Sequence, residues 1–414
     1  MQQSGFQVYG YRWVVLLAYM AIIAVNQLLW ITFASITSES MDFYKVSDLS
    51  IGLLSLSFMI VYIFVSFPAS WMIDTYGLKL GVGIGAALTG IFGLMRGLVA
   101  PSFTWVLVAQ IGIAIGQPFV LNALTTMAGR WFPAEERATA TGLGSLAIYV
   151  GILAGLALTP YLVLQFGIRG MLMAYGVASA IAMFVFLVLA HERPATPPCP
   201  PGQEARSLVL DGLSKMLRQR DFLLLLVIFF VGLGAFNAVT TWIEQILTPR
   251  GFNATQAGDA GGLMILGGII GAVVLPLLSD RLRKRVPFII LAVAGAAAGL
   301  AGLTLVTGYV GLLIFSFLFG FFLLSAGPIG FQYGAEITLP APEGTSNGLL
   351  ILMGQISGIV FILGMDALKA PGTGSMAVPL LVLIGLFVLA FLLTLRLKEV
   401  PALKPQLGSA RTRI

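Results

Sequence analysis

Long apolar runs fill most of the chain, and only short polar breaks separate them. Six runs precede residue 190 and six follow residue 221. Each has about 20 residues or more, which is the length that spans the hydrocarbon core of a bilayer as a helix. The runs are continuous and do not alternate between polar and apolar positions, which argues against the strands of a membrane β-barrel. The pattern therefore predicts an all-α membrane protein with twelve transmembrane helices.

One polar stretch, residues 191–221, separates the two groups of six spans and is rich first in proline and then in basic residues, which is typical of a linker. It divides the chain into a first half (1–190), a cytoplasmic linker (191–221), a second half (222–396) and a basic tail (397–414). The predicted spans are 12–37, 50–73, 79–100, 103–127, 139–165 and 170–189, then 222–248, 256–279, 286–307, 309–335, 345–368 and 376–395.

The linker also contains apolar residues at helical spacing with basic residues on the opposite face. These apolar residues are Val209, Leu210, Leu213, Met216 and Leu217. The spacing predicts an amphipathic helix, which would either lie on anionic lipid or cap the cytoplasmic mouth of the helix bundle.

The two halves share landmarks at a constant spacing. Asp74 ends the second span and Asp280 ends the eighth, and the two are 206 residues apart. Gly142 and Gly348, at the start of the fifth and eleventh spans, are also 206 residues apart. This offset predicts two parallel structural repeats, an architecture in which transporters bind their substrate near the membrane midplane, between the repeats.

Composition and charge narrow the class of function. Only 10% of the residues are charged and 58% are hydrophobic, whereas about a quarter of the residues of a soluble protein are charged. The net charge of +6 does not indicate nucleic-acid binding, because the basic residues cluster in membrane loops such as 281–285. Their bias towards the side of the termini predicts that both termini face the cytoplasm, in the cell membrane. We expect a monomer whose partners are a small solute and the lipid bilayer.

The chain has few residues of the types that bind metals or act as catalytic nucleophiles. The chain has one histidine, His191, and one cysteine, Cys199, and both lie in the linker. These two residues are too few for a metal site or for a nucleophile and its base. We therefore expect no metal, no cofactor and no enzymatic activity.

Several polar and aromatic residues interrupt the apolar spans. Such residues are costly in lipid and usually face a cavity or the interior of the bundle. By the 206-residue offset, Trp30 corresponds to Phe236 and Tyr149 to Gln355. The residues that we predict to bind the substrate are Trp30, Gln117, Tyr149, Phe236, Asn237 and Gln355. Packing and hydrogen bonding between helices is the alternative role for each.

Charged residues at the ends of the spans suggest a conformational gate. A carboxylate that ends the second or eighth span could dock on the positive N-terminal end of a helix in the other half. Breaking this contact would let the two halves move apart. The predicted gate residues are Asp74, Lys79, Glu136, Arg137, Asp280, Arg281 and Glu343. The alternative is that these charges only orient the loops.

The residues at the centres of the spans indicate whether transport is coupled to protons. No Asp, Glu, Lys, Arg or His lies near the centre of a predicted span, and a midplane carboxylate is the usual proton relay of a coupled transporter. The sequence therefore favours uniport, with proton-coupled export of hydrophobic compounds or organic anions as the alternative.

Glu244, beside Trp242 near the outer mouth, is interpreted either as a solvated residue next to an interfacial tryptophan or as one that attracts a cation. In the fifth span, Gly151 and Gly155 indicate a seam of close helix packing.

Three loops carry a family resemblance. Residues 74–79 (Asp-Thr-Tyr-Gly-Leu-Lys) and 280–285 (Asp-Arg-Leu-Arg-Lys-Arg) resemble the two copies of the Asp-Arg-x-Gly-Arg-Arg loop of the major facilitator superfamily. Residues 131–140 (Trp-Phe-Pro-Ala-Glu-Glu-Arg-Ala-Thr-Ala) are similar to the loop between its fourth and fifth helices. The resemblance implies the major facilitator fold and transport by alternating access.

A narrower resemblance concerns the feline leukaemia virus C receptor-related transporters, which are associated with choline, ethanolamine and haem. Residues 26–30, 234–238 and 330–336 are similar to that subfamily. In its choline carriers, residues of helices one, four, seven and eleven surround the substrate. This implies substrate-binding roles for Trp30, Gln117 and Gln355, whereas Asn237 stands where those carriers have tyrosine. The implied function is transport of a small polar or cationic solute, similar to choline or ethanolamine, by an aromatic cage that lacks one wall.

Overall fold

The computed structural model describes residues 7–133, 136–196, 198, 216–338 and 343–399. The helices of the first half are α1 (Arg12–Ile31), α2 (Thr37–Tyr44), α3 (Asp48–Tyr76), α4 (Leu78–Leu98), α5 (Phe103–Leu121), α6 (Leu124–Trp131) and α7 (Arg137–Leu189). Those of the second half are α8 (Arg220–Thr241), α9 (Ile243–Leu247), α10 (Ala254–Leu282), α11 (Val286–Leu305), α12 (Tyr309–Thr338), α13 (Glu343–Ala367) and α14 (Ala377–Thr394). The described ranges contain no strand, and the all-α prediction is confirmed. The predicted amphipathic linker helix lies almost entirely outside the described residues.

Eleven helices in the described part of the chain are long and apolar enough to cross a bilayer, with α5 and α6 forming one span. The longest of them, α7, contains Gly167, whose φ of 66° and ψ of 174° interrupt the helix. These angles suit a residue without a Cβ atom. The sequence predicts two spans here, and Gly167 lies between them.

The two arms of α7 run in opposite directions. The first arm is parallel to α1, and the second arm is antiparallel to α4. Because α1 and α4 are themselves parallel, the chain reverses at Gly167, and counting the arms separately gives twelve membrane-length segments. The contacts that fix these directions are Gly151 with Ala24, Gly155 with Leu28, Gly97 with Met173, Gly90 with Met183, Asn26 with Thr89 and Leu29 with Arg96.

The first span is shorter than predicted. Helix α1 stops at Ile31, and a separate short helix, α2, begins at Thr37. The side chains of Arg96 and Gln110 donate hydrogen bonds to the carbonyl oxygen of Leu29, at 2.9 and 3.2 Å. The carbonyl groups of the last turn of a helix have no intrahelical partner. In α1, the side chains of Arg96 and Gln110 supply the partner for the carbonyl of Leu29.

The internal repeat is visible in two carboxylates that cap helices. Glu192 accepts hydrogen bonds from the backbone N–H groups of Leu78 and Lys79 at the start of α4, at 3.0 and 2.7 Å. Glu399 accepts from the backbone of Arg285 and Val286 at the start of α11, at 2.6 and 3.0 Å. A carboxylate is favourable at a helix N-terminus, and the two caps occupy equivalent positions in the two halves. We call this side, where α1 begins and α14 ends, the termini side, and the other the distal side.

Small residues bring the helices of the first half close together. A Cβ atom at Gly151 would collide with the carbonyl oxygen of Ala24, and one at Gly155 would collide with the side chain of Ile31. This is the close-packing seam predicted from the sequence. It joins α1 to α7, the two helices that carry Trp30 and Tyr149.

We expect Gly151→Ala to destabilise the protein by about 1–3 kcal/mol, since the colliding atom belongs to the backbone and cannot rotate away. Gly364, in α13, has no atom within 4 Å of the position of a Cβ and serves as the control. Alanine is favoured over glycine in a helix by about 1 kcal/mol, so Gly364→Ala should be neutral or stabilising. Thermal unfolding in detergent measures both variants, and equal melting temperatures would contradict the seam.

Candidate functional site

A cavity of about 1340 Å³ lies between the two halves. Helices α1, α3, α5, α6 and α7 form its wall in the first half, and α8, α10, α11, α12, α13 and α14 form its wall in the second. Arg137, Asp280 and Arg285 line the cavity where these helices approach the termini side. The cavity therefore extends to that side of the molecule.

The distal side is closed by a buried carboxylate. Glu244 accepts hydrogen bonds from the backbone N–H and the hydroxyl of Ser38, at 2.9 and 2.6 Å, and from the hydroxyl of Thr248, at 2.6 Å. Ser38 belongs to the first half and Glu244 to the second, and they are 206 residues apart. Equivalent positions of the two repeats thus meet each other, which places this contact at the pseudo-twofold axis that relates the halves.

The burial of Glu244 corrects the interpretation made from the sequence. Glu244 is 1% exposed and Trp242 is fully buried, so Glu244 is neither solvated nor at an open outer mouth. Trp242 donates from its indole nitrogen to the carbonyl oxygen of Ile362 at 3.1 Å and packs against Gly52 of the first half. Ser38 lies in the first turn of α2, and Trp242 and Glu244 lie at the junction of α8 and α9. The sequence predicted neither of these two short helices.

Two further polar contacts cross between the halves on the distal side. Lys369, which follows α13, pairs with Asp48 at the start of α3, and burial lowers the pKa of the Lys369 amine. Tyr161 of α7 donates to Asp259 of α10 at 3.0 Å. Together with the Glu244 contact, they hold the distal ends of the halves together while the cavity extends to the termini side.

All six residues that the sequence singled out for the substrate line this one cavity. Trp30 is the penultimate residue of α1, and its indole nitrogen donates to the carbonyl oxygen of Ser55 at 3.2 Å. Asn237 lies in the last turns of α8, and its amide nitrogen donates to the carbonyl oxygen of Gly354 at 3.1 Å. Phe236 adjoins it. These three residues lie near the closed distal end of the cavity.

The other three residues are differently placed. Gln117 lies four residues before the end of α5, and Tyr149 and Gln355 lie in the interior of α7 and α13. Among the residues that the structure describes, the side chains of these three make no hydrogen bond. A polar group inside the membrane without a protein partner must meet water or a solute. Two amides and one phenol are thus available to bind a solute in the cavity.

Arg96 is a buried residue whose place the sequence did not predict. It is fully buried in the first half and donates to the carbonyl oxygen of Leu29 at 2.9 Å, to Gln110 at 2.7 Å and to Thr32 at 3.2 Å. Its guanidinium lies 5.5 Å from the ring centre of Phe33. The cluster holds the end of α1 in place next to Trp30. The sequence shows Arg96 near a span end but not that it is buried.

The contacts that the structure describes for Glu136, Arg137 and Asp280 lie within one half. Glu136 pairs with Arg12 at 2.9 Å, and Asp280 pairs with Arg285, which also contacts Glu336 at 3.2 Å. Arg137 donates to the backbone carbonyls of Gly129 and Phe132, at 3.1 and 3.2 Å. The side chain of Glu343 lies outside the described residues, and Asp74, Lys79 and Arg281 lie at or near the ends of α3, α4 and α10 on the termini side. A gate between the halves on this side stays a prediction.

Two six-span repeats around a central cavity are one architecture of transporters, and comparison with known proteins identifies the family. Residues 15–362 match the Major Facilitator Superfamily. The chain belongs to that superfamily. This major facilitator protein is a multi-pass membrane transporter and not an enzyme.

Relatives and solved structures agree with this assignment. The transporter is 32% identical to solute carrier family 49 member A3 of Xenopus tropicalis, over 88% of this chain and 80% of the relative. It is 30% identical to the choline/ethanolamine transporter FLVCR1 of Mus musculus, over 92% and 75%. Its fold matches that of a bacterial homologue of the human lysosomal transporter Spinster, with a TM-score of 0.73, 16% identity and coverage of 96% and 100%. The D-xylose–proton symporter has the same fold, with a TM-score of 0.72, 13% identity and coverage of 94% and 98%.

We expect Ser38→Ala to loosen the distal closure. A hydrogen bond to a carboxylate contributes about 1.5–3 kcal/mol, and about 1.4 kcal/mol changes an equilibrium tenfold. The variant should therefore raise the population that is open on the distal side about tenfold. Modification of a cysteine at Met59, a buried residue of the cavity wall, by a membrane-impermeant thiol reagent from the distal side measures this population.

Asp42→Asn is the matched control, because Asp42 is an exposed carboxylate of α2 on the same side. Glu244→Gln should act like Ser38→Ala, since an amide NH₂ group would face the donors of Ser38. Labelling rates that are unchanged in both variants would show that the contact does not hold the distal side closed.

Proposed function

We propose that this transporter moves a small organic solute with a polar or cationic group, similar to choline or ethanolamine, by alternating access and without proton coupling. The observation that carries the proposal is the set of three side chains, Gln117, Tyr149 and Gln355, that line the cavity without a hydrogen bond among the described residues. They belong to both halves, so a solute held between them is released when the halves move apart.

The chemistry of the cavity supports a solute of this class. An indole face such as that of Trp30 attracts a cation by about 0.5–2 kcal/mol, and the amides of Gln117 and Gln355 both donate and accept hydrogen bonds. The relative FLVCR1 is named as a choline/ethanolamine transporter. Asn237 offers an amide oxygen in place of a tyrosine ring, which favours a solute with N–H or O–H donors over a fully methylated ammonium.

The distribution of charge supports an orientation in the cell membrane with both termini in the cytoplasm. Basic residues are concentrated on the termini side, for example in residues 281–285, as the positive-inside rule expects. With this orientation the cavity extends to the cytoplasmic side, and the Glu244 contact closes the outer side. The predicted gate residues, Asp74 and Asp280 among them, would join the halves on the cytoplasmic side in the opposite conformation.

Loss of either binding residue should reduce the uptake of radiolabelled choline and ethanolamine into proteoliposomes. We expect about a tenfold loss for Trp30→Ala, from the lost cation–π contact, and about a fivefold loss for Gln355→Ala, from a lost hydrogen bond. Trp105→Ala is the control, because Trp105 lies on the outer surface of α5 and is 54% exposed. Wild-type uptake in both Trp30→Ala and Gln355→Ala would reject the site.

Dependence of transport on a proton gradient distinguishes the proposal from its alternative, which is proton-coupled export of hydrophobic compounds or organic anions. Of the Asp, Glu, Lys, Arg and His residues in the described part of the chain, Arg137, Asp280 and Arg285 line the cavity, and all three lie at its open end. The described part of the cavity therefore has no carboxylate near the middle of the membrane that could relay a proton. We expect the solute to equilibrate across vesicles at the same final level with and without an imposed pH gradient. Accumulation against a concentration gradient, driven by the pH gradient, would favour the alternative.

A further inference from the structure

The wall of the cavity in the first half contains a second group of polar side chains, nearer the termini side than Gln117. The Tyr62 hydroxyl donates to Oδ1 of Asn122 at 2.7 Å. Nδ2 of Asn122 donates to the hydroxyl oxygens of Ser66 and Ser70, at 3.0 and 2.9 Å. Tyr62, Ser66 and Ser70 are four residues apart on one face of α3, and all four side chains line the cavity. We call these four residues the polar shelf.

The shelf has hydrogen-bonding capacity that its own contacts do not use. The hydroxyls of Ser66 and Ser70 accept from Asn122. The Ser66 hydroxyl can donate to the Tyr62 oxygen, whereas the Ser70 hydroxyl donates to no described residue. A serine inside a helix usually donates to a backbone carbonyl of the preceding turn, as Ser57 of the same helix does to Leu54, at 2.8 Å. The Tyr62 oxygen has a second lone pair and can still accept. One donor, the Ser70 hydroxyl, and one acceptor therefore remain for a ligand.

The internal repeat shows that the fold does not require these groups. At an offset of 206 residues the shelf positions correspond to residues that cannot form side-chain hydrogen bonds: Gly268, Ala272, Pro276 and Pro328. Pro276 and Pro328 line the same cavity. The second half thus has no polar side chain at the four equivalent positions, so the polar shelf is a feature of the first half alone.

The shelf is separate from the residues proposed to bind the solute near the distal end. Asn122 follows Gln117 by five residues, which corresponds to about 7.5 Å along the helix at 1.5 Å per residue. Only two methylene groups separate the hydroxyl and the nitrogen of an amino alcohol such as choline. Ser55, which accepts from the Trp30 indole, precedes Tyr62 by seven residues, or about 10.5 Å along α3. A solute of that size is too short to span from Ser55 to the shelf.

We propose that Tyr62, Ser66, Ser70 and Asn122 form a second subsite, which binds the hydroxyl group of a solute between the Trp30 site and the termini side. Identification of the bound group as part of the transported solute rests on the proposed function. A hydroxyl fits because it can accept from Ser70 and donate to the Tyr62 oxygen. The subsite selects hydroxylated solutes over otherwise equal ones that lack the hydroxyl.

A cysteine at Thr125 reports on the shelf, since Thr125 lines the cavity one turn beyond Asn122 and is exposed to it. Cys199, the single cysteine of the chain, is replaced by serine. The rate of modification of the new cysteine by a thiol reagent is measured against three probes: choline, ethyltrimethylammonium, which lacks the hydroxyl, and 3,3-dimethyl-1-butanol, which lacks the charge. We expect half-protection by the two hydroxylated probes at about tenfold lower concentration than by ethyltrimethylammonium, as the loss of one or two hydrogen bonds implies.

Matched variants separate binding from folding. Ser66→Ala with Ser70→Ala should remove the preference for hydroxylated probes, and Ser66→Thr with Ser70→Thr, which restores the hydroxyls, should recover it. Ser57→Ala should leave the preference unchanged, because the Ser57 hydroxyl bonds to the backbone and does not line the cavity. A preference that survives in the double alanine variant, or that is absent from the parent protein, would overturn the subsite.

The same measurements distinguish the subsite from the proposed function. Protection by 3,3-dimethyl-1-butanol without uptake of choline or ethanolamine would support the subsite and reject the proposed function. Uptake that depends on Trp30, combined with equal protection by choline and ethyltrimethylammonium, would support the proposed function and reject the subsite.

Discussion

Every polar group inside the bilayer needs a partner within the protein or in a water-filled space, and this constraint sorts the buried residues of the transporter. Gln110 donates to the carbonyl oxygen of Leu29 and accepts from Arg96, and it lies outside the cavity wall. Gln117 and Gln355 have no such partner among the described residues and line the cavity. Residues of the same type therefore have different roles, and what separates them is whether the protein itself supplies their hydrogen-bond partners.

The internal repeat supplies a second criterion, because a departure from it marks a residue that the fold does not need. Glu192 and Glu399 cap equivalent helices in the two halves, so their role is structural. Ser38 and Glu244 are also equivalent positions, but they differ in chemistry and bind each other across the axis. A symmetric pair of acids there would repel, and a symmetric pair of serines would lack the carboxylate that accepts the hydrogen bonds. The asymmetry is what lets the axis hold the two halves together.

The lengths and apolar character of the spans were enough to predict the fold, since a bilayer admits few alternatives to a helix. The residues of the cavity wall could also be found, because polar groups such as Gln355 are rare in spans and the repeat pairs Gln355 with Tyr149. The subfamily resemblance pointed to Gln117. The burial of Arg96 and Glu244 could not be predicted, as it depends on where α1 and α8 end. Those ends are set by tertiary contacts, such as that of Arg96 with Leu29, and not by local sequence. The polar shelf was missed because its serines are weak signals singly, although their four-residue spacing with Tyr62 was visible.

The contacts divide into those that the motion must break and those that it must preserve. On the distal side, the partners of Glu244 and Lys369 lie in the other half, so opening that side costs these bonds and exposes the groups to water, which can replace them. On the termini side, the pairs of Glu136 with Arg12 and of Arg285 with Asp280 lie within one half. Movement of the halves leaves those pairs intact. The conformational equilibrium therefore depends on the contacts that cross between the halves, which include the packing of α7 on α10 and of α3 on α13.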